Sequence, residues 1–319
     1  MTLHISYSDD YLNWKLGNGD GTHPTNPIRA KIATQALKYR LGEDNVTVIE
    51  PQVQDGDREE LEKVHSKGHI SKVLDSHRSE DWLGISPSNS ETALKMFAGT
   101  MRLTEKIIAG ETRVGFNPQG AKHHAQYSYS EGFCVFNDMA WAALTLRDAG
   151  LRPLYIDWDV HAGNGVQNLL SGTDIPTLSI HQYGIYPTHS DVWNPSRLGG
   201  GNYEHHSETA QWYNWCLTAK STDTALAWAM EGVAKKVHEY KPDIILLATG
   251  ADGHKDDGWG MAYTDKGFIQ SAETVAQLAN QYSKGRVLIG GAGGYRPYDT
   301  TPRVWADVVE TIYNKTKGN

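Results

Sequence analysis

Cysteine is scarce in this sequence, and long apolar runs are missing. Cys134 and Cys216 are the two cysteines among 319 residues, too few for a disulfide framework, which favours a reducing compartment. No apolar run approaches the roughly 18 residues that a membrane-spanning helix requires. The N-terminal residues lack the basic and apolar regions of a signal peptide. These absences predict a soluble, cytoplasmic protein that does not bind a membrane.

Clusters of basic residues are missing as well. The formal net charge is -8, with 30 Lys and Arg against 38 Asp and Glu, and the two signs are interspersed. This balance argues against direct binding of nucleic acid. A negative surface is compatible with a cationic substrate, although mild acidity also serves solubility alone. The sequence leaves the oligomeric state open, and an oligomer is one of the options.

The sequence does contain apolar, strand-like runs that alternate with segments of helical periodicity. Strands are predicted at 3–7, 46–49, 113–116, 154–156, 176–181, 243–248 and 286–289. Helices are predicted from Pro27 onward and at 69–74, 90–109, 137–149, 223–240, 266–282 and 302–314. This order predicts a three-layer α/β fold, with a mostly parallel central sheet between helices. We treat residues 1–319 as a single domain, in which 182–221 is predicted to be a long irregular functional loop.

Polar side chains that could bind a metal or transfer protons follow four of the predicted strands. His123 and His124, the segment 157–161, Asp252 and Tyr295 each come after the C-terminal end of a strand. Ligands bind at this edge of an open parallel sheet. Four separate segments therefore predict one site.

The segment 157–161 presents possible metal ligands at alternate positions. Residues two apart on an extended chain project to the same side, so Asp159 and His161 can converge on one cation with Asp157 beneath them. Carboxylate and imidazole together suit zinc or another divalent transition metal. Asp252 is the best third ligand; its other interpretation is a helix or turn cap. Three protein ligands leave a position for water and substrate, which is typical of a catalytic site.

The pair His123 and His124 is weak evidence by itself but lies close to the predicted metal. Asp157 could orient one ring, and Asn164, in a predicted turn at 163–165, could orient the other. A carboxylate partner favours the imidazolium form, whereas an amide favours it much less. One histidine is therefore expected to stay protonated while the other acts as a base near neutral pH.

The glycine-rich segment 290–295 is a poor phosphate cradle. It lacks the Lys-Ser/Thr of a P-loop, and no acidic residue follows as in a dinucleotide site. We interpret it as a turn that brings the Tyr295 hydroxyl to the site, where it would hydrogen-bond a developing oxyanion. The alternative is an ordinary turn before a packing tyrosine.

Cys134 lies within GFCVFND, eleven residues after His123. A nucleophilic cysteine near histidines is conceivable. The apolar neighbours favour a buried structural thiol instead, with Phe133 as a wall of a pocket.

Seven segments of the chain resemble the histone deacetylase family of the arginase/deacetylase fold. They are HPTNPIR at 23–29, GAKHHA at 120–125, EGFCVFND at 131–138, DWDVHAGNG at 157–165, LSIH at 178–181, GAD at 250–252 and GGAGGY at 290–295. They follow the family's order over nearly the whole chain. Trp158 and Asn164 are similar to the class II and bacterial branch, which includes acetylpolyamine amidohydrolases and acetoin-utilisation-type proteins.

The resemblance implies roles for individual residues. The implied zinc ligands are Asp159, His161 and Asp252. The implied catalytic groups are His123 and His124 as proton carriers, Asp157 and Asn164 as their supports, and Tyr295 as the group that polarises the acyl carbonyl. The implied substrate contacts are Gly132, with Phe133 and Tyr186 as walls of a narrow channel. A structural potassium ion is also implied, bound by Asp157, Asp159, Ser179 and the main-chain carbonyls of His161 and Ile180.

Three positions depart from the family's pattern. Ala162 stands where a second, non-ligating histidine is usual. Lys122 adds an unusual charge immediately before the histidine pair. Trp259 stands where many relatives have leucine and polyamine deacetylases can have glutamate, and its ring would narrow the entrance or stack on the substrate.

These observations lead to one leading hypothesis and two alternatives. The leading hypothesis is a zinc-dependent deacetylase that uses metal-activated water to cleave the acetyl amide of acetyl-lysine, in a protein or a small molecule, or of a related amine such as an acetylpolyamine. His124 is the favoured base. An arginase-like ureohydrolase would need a second metal, but Gly253 and His254 follow Asp252 where further carboxylates are expected. The second alternative is a non-catalytic module that binds acylated amines.

Overall fold

A nine-stranded sheet runs through the part of the chain that the structure, a computed structural model, describes. The described residues are 1–16, 25–189 and 191–318, so His23 and Pro24 of the first matching segment lie outside them. The strands are β1 (Leu3–Ser6), β2 (Val46–Ile49), β3 (Val114–Asn117), β4 (Pro153–Asp157), β5 (Thr177–Gln182), β6 (Tyr203–Ser207), β7 (Trp212–Leu217), β8 (Ile244–Ala248) and β9 (Val287–Gly290).

The strands lie in the order β2-β1-β3-β9-β8-β4-β5-β7-β6. Every neighbouring pair is parallel except β6 and β7, which pair antiparallel at one edge. The mostly parallel sheet that the sequence predicts is therefore confirmed.

Helices cover both faces of this sheet. They are α1 (Ile28–Leu41), α2 (Asp57–Glu60), α3 (Lys67–Leu74), α4 (Pro87–Ile108), α5 (Asp138–Asp148), α6 (Asn164–Leu170), α7 (Asp223–Tyr240), α8 (Asp265–Tyr282) and α9 (Thr300–Thr316). One apolar core joins the sheet to α1, α7, α8 and α9, and a second core joins it to α3, α4, α5 and α6. Among the described residues, no helix is both long and apolar enough to cross a membrane.

The central strands are buried on both faces because their side chains alternate between these two cores. In β4, Leu154 and Ile156 belong to the first core and Tyr155 to the second. In β8, Leu247 and Leu246 divide in the same way. Continuous apolar runs are expected for parallel strands that are covered on both sides.

The prediction of a wholly irregular segment at 182–221 was wrong. This segment contains β6 and β7, and β7 pairs in register with β5. Polar residues such as His205 and His206 on an edge strand hid the alternation, because only one face of β6 is covered. The remainder of the segment runs along the C-terminal edge of the sheet and includes Tyr186 and His189.

Candidate active site

The predicted site residues follow four strands that lie side by side in the sheet. These strands are β3, β9, β8 and β4, and their last residues are in register: Asn117 pairs with Gly290, Gly290 with Ala248, and Ala248 with Asp157. All four loops therefore leave the sheet at one edge, as the sequence predicts, and their side chains meet there.

The segment after β4 converges by a different geometry from the one predicted. The strand ends at Asp157, and the residues beyond it bend rather than continue extended. Asp157 Oδ1 accepts a hydrogen bond from the Asp159 amide at 3.0 Å, and Asp159 Oδ1 accepts one from the His161 amide at 2.9 Å. Aspartate commonly bonds the backbone two residues on, so the two-residue spacing serves consecutive turns.

Asp159, His161 and Asp252 form the one group of three metal-ligating side chains among the residues that the structure describes. Their ligand atoms all lie within 4.8 Å of one another, and all three residues are buried. His161 Nδ1 lies 3.1 Å from Asp159 Oδ1 and 3.1 Å from Asp252 Oδ2. One nitrogen and two carboxylate oxygens that face a common point suit a zinc ion.

The electrostatics of this cluster fit a bound cation. Burial and repulsion by Asp159 raise the pKa of Asp252 to about 7. Burial would lower the pKa of His161, but its hydrogen bonds to the two carboxylates raise it to about 10. Two buried carboxylates this close do not both stay charged without a positive partner, and a divalent cation would supply that charge.

Backbone groups hold both carboxylates in place. Asp159 Oδ2 accepts a hydrogen bond from the Gly293 amide at 2.6 Å, and Asp252 Oδ1 accepts one from the Val160 amide at 2.9 Å. A Cβ atom at Gly293 would overlap carboxylate oxygens of both aspartates. The glycine-rich turn after β9 is therefore required by close approach to the metal cluster, which the sequence pattern alone did not indicate.

The two histidines contact different partners. His123 Nδ1 lies 2.7 Å from Asp157 Oδ2, and His124 Nδ1 lies 2.7 Å from Asn164 Oδ1. Both rings are buried, and their centroids are 4.0 Å apart. An amide oxygen only accepts hydrogen bonds, so His124 carries its proton on Nδ1 and presents the lone pair of Nε2.

These environments separate the two pKa values. Burial opposes protonation of His123, but attraction by Asp157 and Asp159 is stronger and raises its pKa. Burial and the nearby rings of His123 and His161 lower the pKa of His124 well below its usual value. His123 is thus suited to remain cationic, and His124 to stay neutral and accept a proton.

Tyr155 and Glu131 extend these contacts, and sequence reasoning missed both. The Tyr155 hydroxyl donates to Asp157 Oδ2 at 2.7 Å. Glu131 Oε2 accepts from Asn164 Nδ2 at 3.0 Å, which fixes the orientation of the amide that faces His124. Tyr155 precedes Asp157 by two residues on one strand, a signal that could have revealed it. No sequence signal links Glu131 to Asn164.

Asn164 was predicted to lie in a turn, but it is the first residue of α6. Gly163 is the N-cap of this helix, and Asn164 is fully buried. The short helix packs tightly beneath the histidine loop, because a Cβ atom at Gly165 would overlap the backbone at His123 and Ala125. Glycine followed by asparagine resembles a turn in sequence, but here it begins a helix against another chain segment.

The rings of Tyr295 and Trp259 lie close to the ring of His161. The Trp259 ring centroid is 4.9 Å from that of His161 and 5.3 Å from that of Tyr295. Removal from water, together with Asp252 and Asp159, raises the pKa of the Tyr295 hydroxyl well above its usual value. Tyr295 therefore keeps its proton and can donate a hydrogen bond. Trp259 is 42% exposed.

The predicted substrate-contacting residues lie against His124. Gly132 adopts a φ of +58°, and a Cβ atom there would lie 2.5 Å from His124 Cδ2. The Tyr186 ring centroid is 5.0 Å from that of His124, and Phe133 is partly buried beside Gly132. Burial and a hydrogen bond to Glu131 raise the pKa of Tyr186. Two aromatic rings and one glycine thus border the histidine pair.

The residues of the predicted potassium site lie on two neighbouring strands. Asp157 pairs in register with Ser179 of β5, and Ile180 follows on the same strand. The Ser179 hydroxyl lies 2.9 Å from His181 Nδ1, and Asp157 contacts His123, Tyr155 and the Asp159 amide. The potassium site stays a prediction.

Cys134 is buried, and burial raises the pKa of its thiol to about 12. A thiol that holds its proton this strongly is a poor nucleophile. The structure therefore favours the packing role.

Comparison with known proteins first identifies the fold. The crystal structure of the HDA15 HD domain matches with a TM-score of 0.80 and 20% identity, covering 98% of this chain and 88% of that chain. At this identity the likeness concerns the fold alone. The same three-layer α/β architecture is present in both proteins.

The sequence then places the chain in a family. The histone deacetylase domain matches residues 23–312, and the chain belongs to that family. The acetoin utilization protein AcuC of Staphylococcus aureus strain N315 is 27% identical over 331 residues, covering 97% of this chain and 81% of the relative. AcuC of Bacillus subtilis strain 168 is 28% identical over 322 residues, covering 95% and 80%. The family resemblance is confirmed, and it supports a deacetylase, hence a hydrolase.

Proposed function

We propose that the protein is a zinc-dependent deacetylase that hydrolyses the acetyl amide of a primary amine, such as the side chain of acetyl-lysine or an acetylpolyamine. The observation that carries this proposal is the meeting of three groups at one sheet edge: a buried Asp-His-Asp cluster, a histidine pair with contrasting partners, and a protonated tyrosine. Membership of the histone deacetylase domain family supports the same chemistry.

Asp159, His161 and Asp252 would hold the zinc ion. The ligand atoms lie close enough together to bind one such ion. The two buried carboxylates also require a positive charge near them, which the ion would supply. When bound, zinc would supply Lewis-acid polarisation of the acyl carbonyl and acidify a nearby water. The backbone amides of Gly293 and Val160 would keep the two carboxylates oriented towards it.

The histidines divide the proton transfers. As the water oxygen adds to the acyl carbon, His124 Nε2 takes the water proton, while Asn164 holds the opposite side of the ring. His123, kept cationic by Asp157, stabilises the negative charge that develops nearby. The C–N bond then breaks, the proton passes from His124 to the amine nitrogen, and the products are a carboxylate and a primary amine.

Tyr295 donates its hydroxyl proton in a hydrogen bond to the carbonyl oxygen as that oxygen gains charge. Its raised pKa keeps the donor protonated, and proximity to His161 places it beside the metal cluster. Tyr186, Phe133 and Trp259 would enclose the aliphatic chain of the substrate with apolar surface.

The test is turnover of a substrate panel by zinc-loaded protein. The panel contains an acetyl-lysine peptide, free acetyl-lysine and an N-acetylpolyamine, and the released acetate is measured. We expect turnover of at least one substrate, lowered by about 10²–10⁴-fold in His124→Ala. Tight binding without turnover would instead support a non-catalytic module, and the absence of both would contradict the proposal.

The ureohydrolase alternative gains no support from the described residues. His254, which follows the metal cluster, is buried against Phe268 and lies 3.5 Å from Asp265 rather than facing Asp252. A two-metal site needs additional ligands next to the first. A measured content near two zinc ions per chain would revive this alternative.

A further inference from the structure

The backbone amide of Tyr295 donates a hydrogen bond to a carboxylate from another loop. Asp257 Oδ2 accepts this bond at 2.8 Å, although Asp257 precedes Tyr295 by 38 residues in the sequence. Asp257 lies between Asp252 of the metal cluster and Trp259. The mechanism proposed above gives Asp257 no role.

The chain around Tyr295 has little conformational restraint of its own. Residues 291–296 belong to no helix or strand, and four of the six residues from 290 to 295 are glycine. Gly294, immediately before the tyrosine, has a φ of +138°. Because glycine has access to a wide range of backbone angles, contacts from elsewhere must fix the direction of the Tyr295 side chain.

The peptide unit between Gly294 and Tyr295 is held at both of its polar ends. Its carbonyl accepts a hydrogen bond from a terminal nitrogen of Arg29, and its N–H donates to Asp257. Burial raises the pKa of Asp257 to about 6, so the carboxylate is its main form at neutral pH. Hydrogen bonds to charged groups are stronger than those between neutral groups. Since a peptide unit is planar, fixing its orientation restricts where the Tyr295 side chain points.

Asp257 is itself held in place by its own loop. Its amide donates to the His254 carbonyl at 2.9 Å, and the His254 ring is buried and stacked on Phe268. At the base of the loop, the Tyr263 amide donates to the Gly253 carbonyl at 3.2 Å. A carboxylate on a braced loop is a fixed acceptor, as a positioning group must be.

A local role of Asp257 within its own turn is the other interpretation. Aspartates in turns commonly accept hydrogen bonds from backbone amides close by in the sequence. Among the described residues, the Tyr295 amide is the one hydrogen-bond partner of the Asp257 side chain, and Oδ1 is buried without a partner. The carboxylate therefore serves the segment of Tyr295 rather than its own turn.

We propose that Asp257 is a positioning residue for the Tyr295 hydroxyl. By holding the Tyr295 amide, it directs the side chain towards the acyl carbonyl, to which the hydroxyl donates. The same loop makes a second contact, since the ring centroids of Trp259 and Tyr295 are 5.3 Å apart. This inference rests on the proposed function. A displacement of about 1 Å in a reacting group can lower the rate by roughly 10²-fold, so loss of the Asp257 carboxylate should affect kcat more than KM.

The experiment compares zinc-loaded wild type with Asp257→Ala and Asp257→Asn, each also combined with Tyr295→Phe. Alanine removes the acceptor, whereas asparagine keeps an acceptor oxygen. Asp256→Ala is the matched control, because the Asp256 side chain lies on the same loop, is 55% exposed and contacts His254. The constants kcat and KM are measured with the acetylated amine that is hydrolysed best. Hydrogen exchange of the backbone amides in the segment 291–297 is followed by mass spectrometry.

In Asp257→Ala, kcat should fall roughly tenfold or more, while KM changes by about twofold or less. Asp257→Asn should recover most of this loss, and Asp256→Ala should match the wild type. In the Tyr295→Phe background, Asp257→Ala should change kcat by about twofold or less, because the hydroxyl that Asp257 positions is gone. Amides of the segment 291–297 should exchange faster in Asp257→Ala than in the wild type or in Asp257→Asn.

Equal losses of kcat from Asp257→Ala with and without Tyr295→Phe would overturn the inference, because Asp257 would then act on the site without the hydroxyl. An unchanged kcat in Asp257→Ala, at any exchange rate, would overturn it as well. The absence of turnover of every acetylated amine by the wild type would overturn the proposed function instead. Hydrogen exchange separates these failures, since it reports without turnover whether Asp257 holds the Tyr295 backbone.

Discussion

The ring of His124 donates its Nδ1 proton to the amide oxygen of Asn164 across 2.7 Å. An amide partner fixes the ring orientation without supplying a full negative charge. The pKa of His124 stays low because of burial and neighbouring cationic rings, whereas Asp157 raises that of His123. The contrast between Asn164 and Asp157 is the structural basis for two histidines with different roles.

Asn164→Asp should move the acidic limb of the pH profile of kcat/KM to higher pH. A carboxylate raises the pKa of His124, and the base works only when neutral, so activity falls at a given pH on that limb. The new carboxylate would face Glu131, so the double variant Asn164→Asp, Glu131→Gln should show the shift more clearly. Asn168→Asp, on the exposed side of α6, is the control. An unchanged limb would count against this role.

Glu131→Ala should lower kcat roughly tenfold, since it removes the acceptor that orients the Asn164 amide. Glu131→Gln retains an acceptor oxygen and should lose less. Glu131 also accepts from Gln126 at 3.1 Å, so the folding stability of both variants is measured by urea unfolding. Equal losses of kcat in both variants, or a loss of stability alone, would show that Glu131 does not position Asn164.

Gly132→Ala should abolish most activity. The residue has a φ of +58°, and the added Cβ would lie 2.5 Å from His124 Cδ2. Gly110→Ala is the matched control, because Gly110 has a φ of +73° and nothing within 4 Å of the added Cβ. Both variants should lose about 1–2 kcal/mol of folding stability through backbone strain. Only Gly132→Ala should lose activity, by at least about tenfold; similar kcat values would refute the contact.

Stability should fall as the pH drops below about 6.5, the ordinary pKa of histidine. Burial lowers the pKa of His65 to about 3, and that of His181 also to about 3. His65 Nε2 accepts from the Asn137 amide at 2.9 Å, which requires a neutral ring. Because these histidines take up protons at higher pH in the unfolded chain than in the folded protein, each one lowers the free energy of unfolding by about 2 kcal/mol between pH 7 and pH 5.

Urea unfolding at pH 7 and pH 5 checks this expectation. In His65→Gln the loss of stability between these two values should be smaller by about 2 kcal/mol, since glutamine does not titrate. An identical pH dependence of the wild type and the variant would mean that His65 is not held neutral in the folded protein.

Asp252→Ala should reduce bound zinc to a small fraction of the wild-type content. Asp252 Oδ2 faces His161 Nδ1 at 3.1 Å, and Asp159 with His161 alone would leave two protein ligands. Zinc content is measured by mass spectrometry after dialysis. Asp174→Ala, on the exposed loop before β5, should keep its zinc. Full zinc retention in Asp252→Ala would place the metal elsewhere.

Much of the architecture could be predicted because the apolar pattern determines it. The runs that became β4 and β8 are continuous and buried on both faces, which distinguishes central parallel strands. The common strand edge then predicted the meeting of His124, Asp252 and Tyr295. Strands β6 and β7 were not predicted; β6 lies at the edge of the sheet, is covered on one face and carries polar residues.

The contacts around the site could be predicted only in part. The two-residue spacing correctly predicted that Asp159 and His161 lie together, but the chain between them bends and does not continue as an extended strand. The link from Glu131 to Asn164 joins segments that are distant in sequence, and no local pattern encodes it. The same holds for Gly293. A side chain at this position would overlap two carboxylates from other loops, so only glycine fits.

The most direct test of the central claim is the rate of acetate release from an acetyl-lysine peptide and an acetylpolyamine by one preparation, stripped of metal and then reloaded with zinc. The stripped protein should be inactive, and activity should rise with zinc to saturation near one ion per chain. Asp252→Ala should show no such rise. Release that is independent of zinc, or absent from both substrates at saturating zinc, would contradict the account.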